Sequence, residues 1–292
     1  MDYFYGQNSL MAEPWQLRKM MIHCESLIVA DPQILSVISE PTFPFNYVAV
    51  WDANRFVSRS FHLSLVHTNP DVIIFLGDLI NDGSISTNEE FQNLVKTFKS
   101  LFPISSSAKI NVIPGAEKAT ATHIPETEKS PSSDLNIIVS HLPLLPGAVQ
   151  KTMHRIRDAK PNLIISAHDH DSYKFLGKKS DPKAYQFWVL RDEEKIWDFD
   201  LNSEELIEIS APTCSYRMGQ KKYGFGYGLL SKNGGFKYTV LWLPSRFSQL
   251  WCYFWGLCLA ISFLIYPVLI NLNERCSKKD NSNSIRLKYH SV

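Results

Sequence analysis

The chain has 292 residues, 45% of them hydrophobic and 20% charged, with a formal net charge of +1. That is an ordinary globular composition with room for one large core, and near-neutrality offers no field to recruit nucleic acid or an anionic membrane surface. Of five cysteines, Cys252 and Cys258 lie in a hydrophobic span and Cys276 beyond it, which leaves Cys24 and Cys214, paired or not, and excludes a disulfide framework or zinc knuckle.

Residues 1–26 form an amino-terminal segment without a motif. Asp2, Glu13, Arg18 and Lys19 interrupt any apolar core of a secretory signal there. A first strand, Leu27 to Ala30, runs into Asp31-Pro32-Gln33. After Pro41 and Pro44, the apolar positions Phe56, Phe61, Leu65 and Val66 predict a helix from Trp51 to His67. The next run, Val72 to Leu76, is continuously apolar and rich in β-branched residues, as in a strand buried on both faces. Gly77 allows a sharp turn there, and Asp78 is delivered at the strand's carboxyl end, the edge where α/β sheets bind ligands. Thr87 and Glu90 have the spacing of a capping box, opening a helix to about Phe102. Lys109 to Ile113 reads as a short strand closed by Pro114-Gly115.

Residues 116–134 are rich in Ala, Thr, Ser, Pro and Glu and read as a flexible loop, with His123 exposed in it. A strand over Ile137 to Ser140 then ends at His141. A short helix is expected from Val149 to Ala159, with His154, Arg155 and Arg157 on a solvated face. The strand Leu163 to Ala167 runs into His168-Asp169-His170. Phe187 to Leu201 and Leu206 to Ser210 read as two more strands. Tyr223 to Leu230 and Gly235 to Leu243 pair across the turn Ser231-Lys232-Asn233-Gly234.

Residues 247–273 carry no charge over 27 positions, more than the ~20 needed to cross a bilayer. Trp251, Tyr253 and Trp255 lie near one end and Tyr266 nearer the other, as interfacial aromatics do. Arg275, Lys278, Lys279, Arg286 and Lys288 make residues 274–292 a basic tail that the positive-inside rule puts in the cytosol. With this single span the chain reads as tail-anchored, which would leave the main domain in the cytosol too. A missing amino-terminal segment would reconcile the two.

Four apolar strands thus end in metal-ligand types: Asp31, Asp78, His141, and His168 with His170. Carboxylate and imidazole together suit zinc, manganese or iron better than calcium. Asp78 could bridge two ions, with Asp31 and His170 on one and His141 and His168 on the other. Two ions about 3.5–4 Å apart can clamp the attacking and leaving oxygens of a phosphoryl displacement. No covalent nucleophile or serine triad is legible.

The order Asp31-Pro-Gln, Gly77-Asp78, Ser140-His141-x-Pro143, Ala167-His168-Asp-His170 resembles the calcineurin-like metallophosphoesterases. The stretches Pro212 to Gly219, Gly224 to Tyr227 and Leu241 to Arg246 are similar to the membrane-bound metallophosphoesterase 1 branch, which remodels GPI anchors. The resemblance implies a four-layer α/β/β/α sandwich over residues 27–246 and a carboxyl-terminal transmembrane helix. It implies two divalent ions, most fittingly Mn2+, on Asp31, Asp78, His141, His168 and His170. It further implies removal of ethanolamine phosphate from the GPI glycan, with GPI-anchored proteins and membrane lipid as partners and no nucleic acid. Implied locations are endoplasmic reticulum exit sites, the ER-Golgi intermediate compartment and the Golgi.

The chain departs from that family in places. The family's Gly-Asn-His-Asp is replaced by Gly115-Ala116-Glu117-Lys118, which removes an Asn ligand and the His that serves the leaving group, so no catalytic residue is identified. The segment after it is shortened to residues 116–134. Gln33 replaces a family His and is expected beside the metal ligands, and Asn81 replaces a supporting Asp. The family's amino-terminal membrane helix is absent. These coincident losses suggest an alternative transcript or an incomplete sequence, and they favour a second expectation, an impaired isoform or membrane adaptor that keeps the fold.

Overall fold

A computed structural model describes residues 22–36, 43, 45–81, 86–103, 108–113, 135–147, 150–190 and 195–289. The expectations for His123, the loop 116–134, the replaced Gly-Asn-His-Asp stretch and the first 21 residues lie outside the described residues. The chain divides into two units, residues 1–243 and 244–292.

In chain order the first unit runs β1 (Ile22–Ala30), α1 (Phe45–Thr68), β2 (Val72–Leu76), α2 (Asn88–Leu101), β3 (Lys109–Ile113), β4 (Ile137–Val139), α3 (Leu144–Gly147), α4 (Gln150–Ala159) and β5 (Leu163–Ser166). It continues through β6 (Tyr173–Lys178), β7 (Asp181–Val189), β8 (Trp197–Asp200), β9 (Glu205–Ser210), β10 (Gly224–Ser231) and β11 (Gly235–Trp242). The strands form two sheets, ordered β3-β2-β1-β10-β11-β8 and β4-β5-β9-β6-β7. In the first, β1, β2 and β3 are parallel, and in the second β4, β5 and β9 are parallel. Each sheet is completed by antiparallel strands.

Three apolar clusters follow from the two-residue alternation of side chains along these strands. Ile28, Ile74 and Tyr238 of the first sheet meet Leu163, Ile165 and Ile209 of the second. On the first sheet's other face, Val29, Phe75 and Phe225 pack with Val57 and Phe61 of α1 and with Phe102. On the second sheet's other face, Ile164 and Leu206 pack with Leu144 and Leu145 of α3 and Met153 and Ile156 of α4. Phe61 has edge contacts with Phe102 and Phe225 at centroid distances of 4.9 and 6.2 Å. Rings so buried each contribute roughly 1.5–3 kcal/mol.

The capping box forms as expected: Thr87 accepts from the Glu90 N–H, and the Glu90 carboxylate accepts from the Thr87 N–H. The hairpin of β10 and β11 also forms as expected. Other boundaries move. α1 opens at Phe45, six residues before the expected start. The expected strand Phe187–Leu201 is instead the end of β7 and, separately, β8, which lie in different sheets. The β6–β7 hairpin is not legible in the sequence because β7 is a sheet-edge strand, where Lys183 and Gln186 stay in solvent and no apolar face is imposed. Cys24 and Cys214 are both free thiols.

The second unit contains α5 (Arg246–Tyr289), with Pro267 inside it. Its stretch Arg246–Asn271 is long and apolar enough to cross a membrane, and none of its most apolar window is buried within the protein. The helix continues through most of the basic tail, beyond the expected end at Asn273. The chain is thus an α/β protein with two mixed sheets and, among the described residues, five helices, one of bilayer length.

Candidate metal centre

The parallel pairs set the site. β1 and β2 pair with Ala30 opposite Leu76, so Asp31 and the Gly77-Asp78 turn leave the sheet side by side. β4 and β5 pair with Val139 opposite Ile165, so the His141 and His168 loops leave the other sheet together. Backbone bonds lock each pair: Gln33 N–H donates to Asp78 O at 3.0 Å, and Ala167 N–H donates to His141 O at 3.0 Å.

The loops from the two sheets meet. His141 Nε2 lies 3.5 Å from Asp78 Oδ2 and 3.2 Å from His168 Nδ1. One ligand atom from each of Asp78, His141 and His168 falls within 4.8 Å of the others. Asp31 adjoins this trio, its Oδ1 3.6 Å from His141 Nδ1 and its Oδ2 accepting from the His168 N–H at 3.3 Å. His170 turns to Gln33, with Nε2 atoms 3.4 Å apart. All five expected ligands therefore gather at one end of the fold. The trio comprises three of the five expected ligands, and Gln33 lies beside His170.

Burial is graded across the group. Asp31 and His141 are buried, Asp78 and His170 are half-buried, and His168 is exposed. Burial pushes the Asp31 carboxyl up to about 7, opposed by the neighbouring His141 and reinforced by Asp78. Burial lowers His170, with His168 beside it adding to the shift. A carboxyl held protonated in this way releases its proton when a cation arrives, whereas a neutral imidazole is already in its ligating form.

Two observations test whether a cation fits. Asp31 Oδ1 and His141 Nδ1 are buried with no hydrogen-bond partner among the described residues. At 3.6 Å they are too far apart to satisfy each other, and orphaned polar atoms of that kind cost roughly 1–3 kcal/mol each. The second observation is backbone strain. Seven non-glycine residues among those described have positive φ, and five of them are Asp31 (45°), Gln33 (39°), Asp78 (23°), His168 (74°) and His170 (61°). Each such residue costs on the order of 1–3 kcal/mol, a cost that concentrates at functional sites. Oxygen and imidazole donors on strained turns with unsatisfied atoms suit a divalent transition ion.

Two contributors are not legible in the sequence. Thr213 joins the sheets at the site: its hydroxyl donates to Asp31 O at 2.9 Å, and it bridges to Ala30 in parallel register. The family resemblance covers its stretch, but nothing in its spacing reveals this contact. Gly77 (φ 54°) allows more than a turn, since a Cβ there would lie 1.9 Å from His141 Nδ1. A cavity of about 720 Å³ beside β6 and β7, lined by Tyr185 and Trp188 among others, contains none of the candidate ligands.

No protein-family model matches the chain, and no curated protein matches it.

Proposed function

We propose that this chain is a metal-dependent phosphoric ester hydrolase of a secretory-pathway membrane, of the calcineurin-like type, acting on the ethanolamine phosphate of the GPI glycan. The observation that carries the metal reading is the convergence of four strand ends from two sheets on Asp31, Asp78, His141 and His168. The three clusters, helices on sheet, sheet on sheet and sheet on helices, support the four-layer α/β/β/α arrangement. The motif order supports the phosphoesterase class, and the stretches around Ser215-Tyr216-Arg217 and Pro244-Ser245-Arg246 support the GPI branch. A helix of bilayer length supports membrane attachment, and the family resemblance alone points to ER exit sites, the ER-Golgi intermediate compartment or the Golgi.

Asp78, His141 and His168 would hold one ion, and Asp31 and His170 a second, with Asp78 shared. Such ions, Mn2+ most fittingly, act as Lewis acids on a phosphoryl oxygen and generate a nucleophile from water near neutral pH. The chain's own residues supply the framework. Asp31 lies on the Nδ1 side of the His141 ring, while Nε2 of the same ring lies toward Asp78 and His168. The exposed His168 and half-buried Asp78 leave the group open to a large substrate, while Asp31 stays dry beneath.

One sequence feature favours a second reading, an impaired isoform or membrane adaptor. Ala116-Glu117-Lys118 lacks the family's Asn ligand and its leaving-group His, and a general acid is worth roughly 10²–10⁴-fold. Metal content by mass spectrometry, with hydrolysis of a generic phosphodiester in Mn2+, separates the readings. The chain is expected to retain at least one ion, to lose the ion held by Asp31, Asp78 and His170 in His170→Ala, and to run at least about a hundredfold slower than the triple variant Ala116→Asn, Glu117→His, Lys118→Asp. No retained metal in the purified chain would overturn the hydrolase reading.

A further inference from the structure

The run Leu206-Ile207-Glu208-Ile209 in β9 places a carboxylate in an apolar strand. Leu206 belongs to the cluster beneath α3 and α4, whereas Ile207 and Ile209 face the other sheet, so alternation turns Glu208 toward the α3 side. There it is completely buried. Its two oxygens are fully used: Oε1 accepts the Leu144 N–H and Oε2 the Leu145 N–H, each at 2.7 Å. The Ser166 hydroxyl on the neighbouring strand donates instead to Ile209 O at 3.4 Å.

Packing does not account for this residue. A leucine or methionine would fill similar space without the cost of taking a carboxylate out of water. What Glu208 does is hold backbone. Leu144 stands three residues after His141, with the rigid Pro143 between. The His141 loop is therefore tied to the carboxylate, and the Ala167 N–H to His141 O bond joins the His168 loop to it.

We propose that Glu208 is a positioning residue of the candidate metal centre: by gripping the Leu144 and Leu145 N–H groups it fixes the His141 loop, to which the His168 loop is bonded, and so holds the two histidines at the separation at which they share an ion. This rests on the metal reading above. Glutamine in its place would keep the volume but present an amide N–H2 to one of the two donors, so one grip is lost without a cavity.

The test uses the full chain in detergent with Co2+ as the probe. Glu208→Gln is compared with Met153→Ala, which removes side chain from the same cluster without touching a loop bond. Glu208→Gln is expected to weaken Co2+ binding about 10–100-fold, the usual effect of losing a partner behind the ligands, and to alter the Co2+ visible spectrum. It should also speed amide exchange over residues 141–145, with or without metal. Met153→Ala should lower thermal stability but leave the Co2+ affinity and spectrum unchanged. Equal Co2+ behaviour in the two variants would overturn the proposal and leave the metal reading intact. If the unmodified chain binds no Co2+ while residues 141–145 lose protection in Glu208→Gln, the metal reading falls, and Glu208 is an anchor of the fold and not a positioning residue.

Discussion

Two sets of loops in the first unit make opposite use of the backbone. The turn between β10 and β11 is fully provided for: Gly234 takes the positive φ of 84°, and the Asn233 side chain accepts from both the Gly235 N–H and the Ser231 hydroxyl. The loops after β1, β2 and β5 instead put Asp31, Asp78, His168 and His170 at positive φ, where glycine would be easier. Near them, Asp31 Oδ1 and His141 Nδ1 are buried without partners among the described residues. A hairpin turn needs only to reverse the chain, so turn chemistry can optimise it. A site needs particular side chains at particular points, and strain there marks what the fold has given up to place them.

The largest expected effect breaks the strained set at its tightest point. Gly77→Ala drives a methyl into the His141 ring and should cost about 4 kcal/mol or more, with loss of metal retention. Gly219 is also at positive φ (74°), but a methyl there would meet nothing within 4 Å. Its change to Ala should cost only about 1–2 kcal/mol, from backbone strain alone. Chemical denaturation of the two variants would measure the difference, and equal losses would mean that His141 moves aside freely.

The next effect concerns pH. Burial raises the carboxyls of both Asp31 and Glu208 to about 7, from 3.8 and 4.5. The folded protein then keeps protons that the unfolded chain has released, so this stabilisation is fully present below about pH 4 and is lost as pH rises through 7. Metal-free protein should therefore be less stable at pH 8 than at pH 5, by up to about 5 kcal/mol. Glu208→Gln should flatten part of that slope. Metal retention should follow the reverse order and strengthen up to about pH 7, because an arriving ion displaces the Asp31 proton. Urea melts and metal retention across that range would check both signs.

A smaller effect tests the exchange of stability for placement directly. His168→Gly relieves a positive φ of 74° and should stabilise the metal-free protein by about 1 kcal/mol while abolishing retention of the ion on the trio. Destabilisation instead would show that the His168 ring contributes more to the fold than its backbone costs. The smallest effect is expected in the hairpin. Asn233→Ala removes the acceptor inside the turn and should cost about 0.5–1.5 kcal/mol, with metal content unchanged.

The sequence by itself determined the elements whose signal is local. Val72 to Leu76 reads as a buried strand from its own residues, the Thr87–Glu90 box caps its own helix, Asn233-Gly234 makes its own turn, and the bilayer-length helix needs no partner to be recognised. It also picked out the candidate residues that gather there, because a carboxylate or imidazole at the carboxyl end of an apolar strand is a one-dimensional pattern. What it left undecided depends on separation in space. Phe187 to Leu201 looks like one strand, yet its two ends serve different sheets, because membership of a sheet is decided by the neighbours available to pair. Glu208 and Thr213 reach the His141 loop and Asp31 from 63 and 182 residues away. No spacing rule covers such distances, since it is the stacking of one sheet on the other that brings these residues together.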